Sequence, residues 1–249
     1  MGDRRAPARP PARTAEDLLQ RAMAAKTPAA RGKWARQGLA SRAPMDHTTQ
    51  AMLLRQLSLS LYEARRFDQA RAVALQAIEL GVLPDVMHQD AARAAFATGD
   101  VDDAVSHLRL ASRRGPASRR PFHLWTLGSV LFLAQRYAEA TAALERAVRW
   151  GTRDKPLYKA HLALVRIASG EAMPDLQSTI DDLAAAPCGQ GYGRFVLGHL
   201  AYAAGVFPVA RRYLDAFVRR TEASRPVLAI ALDAELRMAR STLSKMSAN

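Results

Sequence analysis

The sequence contains a single cysteine, Cys188, and aromatic residues make up only 6% of its 249 positions. One cysteine excludes an intramolecular disulfide and a cysteine-based zinc cluster within the chain. Long apolar runs are also missing, and no segment approaches the roughly 20 apolar residues of a membrane-spanning helix. Residues 1–13 are rich in arginine and proline with no apolar core after them, so no secretory signal is predicted. We therefore expect a cytoplasmic protein with no membrane insertion, whose basic tail, residues 1–13, is disordered.

Motifs for catalysis and for cofactor binding are likewise absent. The sequence has no nucleophile elbow, no HExxH, no P-loop and no acidic calcium loop. Its six histidines are scattered along the chain without the paired spacing of metal ligands. The glycine-rich stretch 188–193 follows a predicted helix, whereas a phosphate-binding loop follows a strand and opens a helix. We expect no metal, no cofactor and no enzymatic activity, and we interpret residues 188–193 as a turn between helices.

Alanine and arginine are the abundant residues. Hydrophobic residues make up 49% of the chain, and alanine, the best helix former, dominates them, which favours an all-α protein. The formal net charge is +13, and only five of the 36 basic residues are lysine. Such a charge suits nucleic acid, an anionic membrane surface or an acidic protein without selecting one of them. The bias towards arginine can equally reflect genomic base composition.

A period of 34–36 residues organises the chain. The clearest copy begins at Pro121 and contains two amphipathic stretches. Leu124, Leu127 and Leu131 recur at spacings of three and four, as one helix face requires. Copies in the same frame begin near residues 51, 85, 121, 156 and 191. In four of these copies a small residue recurs near the start of the second stretch, at Ala70, Ala104, Ala140 and Ala210.

In the copy that begins at Pro121, Leu127-Gly128, Tyr137, Ala140 and Ala147 resemble the pattern of the tetratricopeptide repeat family. That pattern has a Leu-Gly pair in the first helix and an aromatic residue followed by small residues in the second. The resemblance covers roughly residues 51–225. It implies an all-α fold, a right-handed α-solenoid of stacked antiparallel helix pairs. The first-helix tryptophan of the family is replaced in every copy, and the fourth copy carries Asp175 where alanine is expected.

Around the five predicted repeats of residues 51–225, both ends of the array need a cap. Residues 14–50 are predicted to form an N-terminal helical pair that is divided at Thr27-Pro28, where threonine can cap a helix that begins with proline. Residues 226–249 are predicted to form a C-terminal capping helix and tail. The whole chain should therefore contain about thirteen helices.

The resemblance also implies that positions 2, 5, 9 and 12 of each repeat face a concave groove. Several of these positions are aromatic, and exposed aromatic patches are typical of binding surfaces. Alternatively, the superhelix closes and the same residues pack on one another or on the end helices. Leu59 stands where a clamp for a C-terminal carboxylate would need asparagine, so that mode is not expected. The predicted partner-binding groove consists of Arg55, Tyr62, Arg93, Phe96, Trp125, Phe132, Phe195, His199 and Tyr202.

A second candidate surface is a basic patch. Arg113, Arg114, Arg119 and Arg120 flank Gly115-Pro116 with no acidic residue among them. Such a patch could bind phosphates or an acidic protein, or it could be a solvated outer face.

The favoured function is that of a non-catalytic scaffold or adaptor, which binds a peptide or a helix of another protein in the concave groove. The alternative is an arginine-patch binder of nucleic acid or of an acidic protein surface, and homo-oligomer formation is left open.

Overall fold

The computed structural model describes residues 14–42, 44–224 and 226–248, and the predicted tail of residues 1–13 lies outside these ranges. The described residues form fourteen α-helices and no β-strand. In chain order the helices are α1 (Ala15–Ala24), α2 (Pro28–Leu39), α3 (His47–Glu63), α4 (Phe67–Glu79), α5 (Pro84–Ala97), α6 (Val101–Arg114), α7 (Arg120–Leu133), α8 (Tyr137–Trp150), α9 (Lys155–Ala168), α10 (Leu176–Ala185), α11 (Gly193–Ala203), α12 (Phe207–Ala223), α13 (Pro226–Ala231) and α14 (Asp233–Ala248).

From α1 to α12, each helix packs against the next one along the chain. The five pairs α3–α4, α5–α6, α7–α8, α9–α10 and α11–α12 correspond to the five sequence copies. Because a two-helix unit cannot bury its apolar face alone, its neighbours complete the core. The predicted all-α array of stacked helix pairs is confirmed.

Small residues allow the two helices of a pair to approach closely. A Cβ atom added at Gly128 of α7 would lie 2.5 Å from Cγ of Leu144 on α8, and one added at Gly198 of α11 would lie 2.5 Å from Cγ of Leu214 on α12. At the equivalent position of α3, the Ser58 hydroxyl donates to the carbonyl of Ala70 at 2.7 Å. The Leu-Gly pairs of the sequence are therefore explained by helix contact.

The turn inside each repeat uses one left-handed residue at the same position of the frame. Its φ angle is 85° at Gly99, 89° at Gly170 and 74° at Gly205. Arg65 and Gln135 adopt the same conformation, with φ angles of 58° and 60°, although a Cβ atom disfavours it. The turn geometry is thus common to all five repeats even where glycine is absent.

The fourth repeat departs from the frame that the sequence predicts. The frame places the start of its second helix near Ala172, whereas α10 begins only at Leu176. Pro174 disfavours helical backbone at the residue before it, which accounts for the late start. After α10, residues 187–189 form a short 3-10 turn, in keeping with the predicted turn at 188–193.

The two ends of the array differ in how closely they follow the prediction. Thr27 caps α2 by accepting a hydrogen bond from the amide of Ala30 at 3.2 Å, and the helix begins at Pro28. At the other end, the single predicted helix is interrupted at Leu232, which is why the described residues hold fourteen helices and not about thirteen. Backbone hydrogen bonds continue on both sides of Leu232, so the interruption is a local distortion.

Candidate functional site

Among the first helices of the repeats, α3 contacts α5, α7 contacts α9, and α9 contacts α11, and we call the surface that these helices share the inner surface. The C-terminal helices return across it. Helix α13 packs against α3 and α12, and α14 packs against α11 and α12. The hydroxyl of Tyr62 on α3 lies 3.5 Å from the carbonyl oxygen of Ile230 on α13. The end of the chain therefore contacts the first repeat as well as the last.

A cavity of about 320 Å³ remains between α5, α7 and the C-terminal helices, and we call it the inner cavity. This volume is at the lower end of the range for pockets that bind small ligands. The inward positions that the sequence predicts for α5 and α7 coincide with much of its wall. That wall includes Gln89, Arg93 and Phe96 from α5, Phe122, Trp125 and Ser129 from α7, Tyr192, and Leu228, Leu232 and Glu235 from the C-terminal segment.

Trp125 is one of the aromatic residues of this wall, and it is half-buried. Its indole N–H donates to Nδ1 of His161 at 3.1 Å, and its ring lies 4.9 Å from the ring of Tyr192 in an edge-on arrangement. Burial lowers the pKa of His161 to about 3, so the imidazole is neutral and can accept this hydrogen bond. Trp125 is thus held in a fixed orientation, with part of its ring facing the inner cavity.

Other predicted groove residues are packed inside the array. Phe132 is 3% exposed, and its ring lies 5.4 Å from that of His161. Phe195 and His199 are buried against each other at 4.6 Å, and Tyr62 is buried beneath α13. The expectation that Phe132 points with Trp125 into an open groove is therefore wrong, because neighbouring helices cover Phe132. A role for these buried residues in partner binding stays a prediction.

Tyr202 and Phe96 complete the predicted set of aromatic groove residues. Both are half-buried. The ring of Tyr202 lies 5.7 Å from that of Phe207 at the far end of the array, away from the inner cavity. Phe96 lines the inner cavity itself. The structure therefore brings Phe96, Trp125 and Arg93 together and leaves Tyr202 apart.

The two arginines of the predicted groove share one buried carboxylate. Asp90 is 6% exposed and accepts from Nε of Arg55 at 2.8 Å, and Nη1 of Arg93 lies 3.3 Å from its other oxygen. The guanidinium of Arg93 also lies over the ring of Tyr62, 5.9 Å from its centre. Asp90 compensates one of these two positive charges, so the cluster keeps a net positive charge beside the inner cavity, which Arg93 lines.

Glu235 is a buried carboxyl group that α14 carries into the inner cavity. It is 5% exposed and interacts with the hydroxyl of Tyr192. Burial raises its pKa from 4.5 to about 7, because desolvation disfavours the charged carboxylate. The sequence predictions missed Glu235 and the two cavity leucines, Leu228 and Leu232. The available signal was the apolar composition of residues 226–232, which the predictions assigned to end capping alone.

The predicted basic patch is only partly free. Arg119 donates to both carboxylate oxygens of Asp85, at 2.7 and 3.0 Å, and Nη1 of Arg114 lies 3.3 Å from Nε2 of His88. Arg120 stacks over an exposed ring, Trp150, at 5.5 Å. Three of the four arginines of the patch, Arg114, Arg119 and Arg120, therefore contact other side chains of the array.

Neither a metal centre nor a membrane span is found in the described ranges. No group of three or more histidine, cysteine, aspartate or glutamate side chains there is placed to hold a metal ion. No helix of the described chain is both long and apolar enough to cross a membrane.

No protein-family model and no curated protein matches the sequence. Among solved structures, the chain is similar to a tetratricopeptide repeat protein from Parabacteroides merdae, with 12% identity, a TM-score of 0.60, and coverage of 94% of this chain and 92% of that one. It is also similar to the apo form of RapI, with 13% identity, a TM-score of 0.55, and coverage of 93% and 84% of the two chains. The fold is that of a tetratricopeptide-like helical repeat. At these identities the similarity establishes the architecture of this TPR-like chain, and its binding residues have to be argued from its own geometry.

Proposed function

We propose that this TPR-like protein is a non-catalytic, cytoplasmic interaction scaffold that binds an apolar peptide or partner helix at the inner cavity. The observation that carries the proposal is the half-exposed aromatic wall of that cavity, formed by Phe96, Phe122 and Trp125. Aromatic side chains in a pocket typically supply most of the binding energy of a protein interface. The fixed orientation of Trp125 reduces the entropy lost when a partner binds.

The C-terminal segment supports the choice of an apolar helical partner. Helix α13 has the sequence PVLAIA and already lies against the inner surface. An apolar helix is therefore compatible with this surface in shape and in polarity. We propose that the partner occupies the inner cavity beside α13.

The alternative partner is nucleic acid or an acidic protein at the basic patch. It is less favoured because Arg119 is engaged by Asp85 and Arg114 lies against His88. Binding through phosphate contacts weakens steeply as salt rises, whereas apolar binding changes little. Salt dependence therefore separates the two functions.

The test is a selection of peptides from a random library on the full-length protein, followed by affinity measurements on two phenylalanine variants. Phe122→Ser alters the inner cavity at a residue that is 41% exposed. Phe207→Ser is the matched control, because Phe207 is 47% exposed and also lies in the first turn of a helix, outside the inner cavity. Trp125 is a poorer choice, because its loss would also break the hydrogen bond to His161 and lower stability.

We expect apolar peptides whose affinity is insensitive to salt and falls by about tenfold or more in Phe122→Ser, since an interface anchor typically contributes about 2 kcal/mol. Phe207→Ser should bind as the wild type does. Equal affinity for both variants would place the binding site elsewhere. Selection of acidic peptides with a steep salt dependence would favour the basic patch.

A further inference from the structure

A second cavity, of about 640 Å³, lies between the segment 190–194 at the start of α11, the helix α12 and the C-terminal segment. It shares Tyr192, Leu228 and Leu232 with the inner cavity but contains no residue of α5 or α7. Its apolar wall is completed by Phe217. The cavity is large enough for a small organic ligand.

Two arginines line this cavity with no carboxylate of the described residues to neutralise them. The side chain of Arg194 donates to the amide oxygen of Gln190, a neutral partner. No hydrogen bond or ion pair joins the side chain of Arg220 to any described residue. No aspartate or glutamate is found among the lining residues that the structure describes.

Several arginines of the array, unlike this pair, have a carboxylate partner. Arg55 is bound to Asp90, Arg119 to Asp85, and Arg136 to Glu139. Arg194 and Arg220 line the same cavity and carry like charges, and burial and then the charge of Arg220 lower the pKa of the Arg194 guanidinium. An anion between them would remove the repulsion between these like charges.

We propose that this cavity binds an amphipathic organic anion, with its carboxylate or phosphate held by Arg194 and Arg220 and its apolar body packed on Phe217, Leu228 and Leu232. Guanidinium groups match both anions through paired N–H donors. The apolar wall favours an anion with a hydrocarbon body over a bare inorganic ion. The two cavities share Tyr192, Leu228 and Leu232, but neither arginine lines the inner cavity, so replacing the arginines tests this site separately from the partner site.

The experiment is isothermal titration calorimetry of the full-length protein with octanoate, octyl phosphate and the neutral analogue octanamide. Octanoate or octyl phosphate should bind about tenfold or more tightly than octanamide, because hydrogen bonds to charged groups contribute about 1.5–3 kcal/mol. Tighter binding of octyl phosphate would identify a phosphate ligand, and tighter binding of octanoate would identify a carboxylate ligand. Either result supports the site.

Variants localise the binding. Arg194→Gln combined with Arg220→Gln should weaken binding of the anion about tenfold or more, and Arg220→Gln alone, at an exposed position, should weaken it in the same direction. Arg219→Gln is the matched control, because Arg219 is exposed on the same helix but does not line the cavity. Equal binding of octanamide and octanoate, or unchanged binding in Arg220→Gln, would overturn the proposal.

Discussion

The buried carboxyl group of Glu235 should make the stability of this protein depend on pH near neutrality. Its pKa is about 7 in the folded chain, against an ordinary value of 4.5. The folded state therefore binds more protons than the unfolded state between these values, so the free energy of unfolding falls as pH rises from 4.5 to 7. At about 1.4 kcal/mol per pH unit, the full loss amounts to roughly 3 kcal/mol.

The substitution Glu235→Gln isolates this effect. Glutamine keeps the size and hydrogen-bonding capacity of the protonated acid but does not ionise. The variant should match the wild type near pH 4.5 and exceed its stability by roughly 3 kcal/mol at pH 8. Histidines act in the opposite direction in both proteins. Burial lowers the pKa of His88 and His199 to about 4 and that of His161 to about 3, so their contributions rise with pH up to 6.5. The difference between the two proteins cancels these contributions.

Thermal unfolding followed by circular dichroism at pH 5, 6, 7 and 8 measures the difference. A change of roughly 3 kcal/mol corresponds to a shift of roughly 6–12 °C for a chain of this size. Glu222→Gln serves as the control, because Glu222 is an exposed glutamate that pairs with Arg240. If the gap between wild type and Glu235→Gln stays constant from pH 5 to pH 8, Glu235 is not buried in the inner cavity and α14 does not lie where the structure has it.

Three further substitutions test the packing and the turns of the array, each by thermal unfolding. Ala140→Glu should destabilise the protein by more than about 2 kcal/mol, because Ala140 has no accessible surface. The control Ala142→Glu, at an exposed position, should leave the stability unchanged. Equal midpoints for the two variants would contradict the assigned repeat frame. Gln135→Gly should stabilise the protein by about 0.5–1 kcal/mol, because glycine adopts the left-handed conformation of this position without steric strain. That gain exceeds the entropy that the more flexible unfolded chain loses on folding, and a lowered midpoint would contradict this. Asp85→Asn should cost about 2 kcal/mol by weakening the contacts of a buried carboxylate with Arg119, and an unchanged midpoint would show that this pair contributes nothing.

Much of the repeat array could be predicted because its determinants are local and periodic. Apolar spacing predicts each helix, and the Leu-Gly pairs and second-helix alanines predict where two helices touch. Gly128 and Ala140 occupy such positions in the structure. The fourth repeat was predicted less well, because Pro174 delays the start of α10. The repeat period alone does not take the effect of this proline into account.

The candidate site was predicted only in part. The frame predicts Arg93, Phe96 and Trp125 on one surface, because equivalent positions of stacked repeats lie side by side, and all three line the inner cavity. It could not distinguish an exposed inward residue from a covered one. Phe132 and Trp125 lie two turns apart on one helix, yet one is buried and the other faces the inner cavity, because different neighbours cover them.

The sequence by itself determined the helical class, the repeat period and the residues at helix contacts, since each follows from spacings within some 35 residues. Only the tertiary structure decided that residues 226–248 lie on the inner surface. The contact of Tyr62 with Ile230 joins residues 168 positions apart, and no local pattern specifies such a pairing. An apolar helix at the end of an array can cap the last repeat or cross to the first one with the same sequence periodicity. Which surface it covers depends on the shape of the completed array, and that shape here buries Glu235 and leaves two arginines facing one cavity.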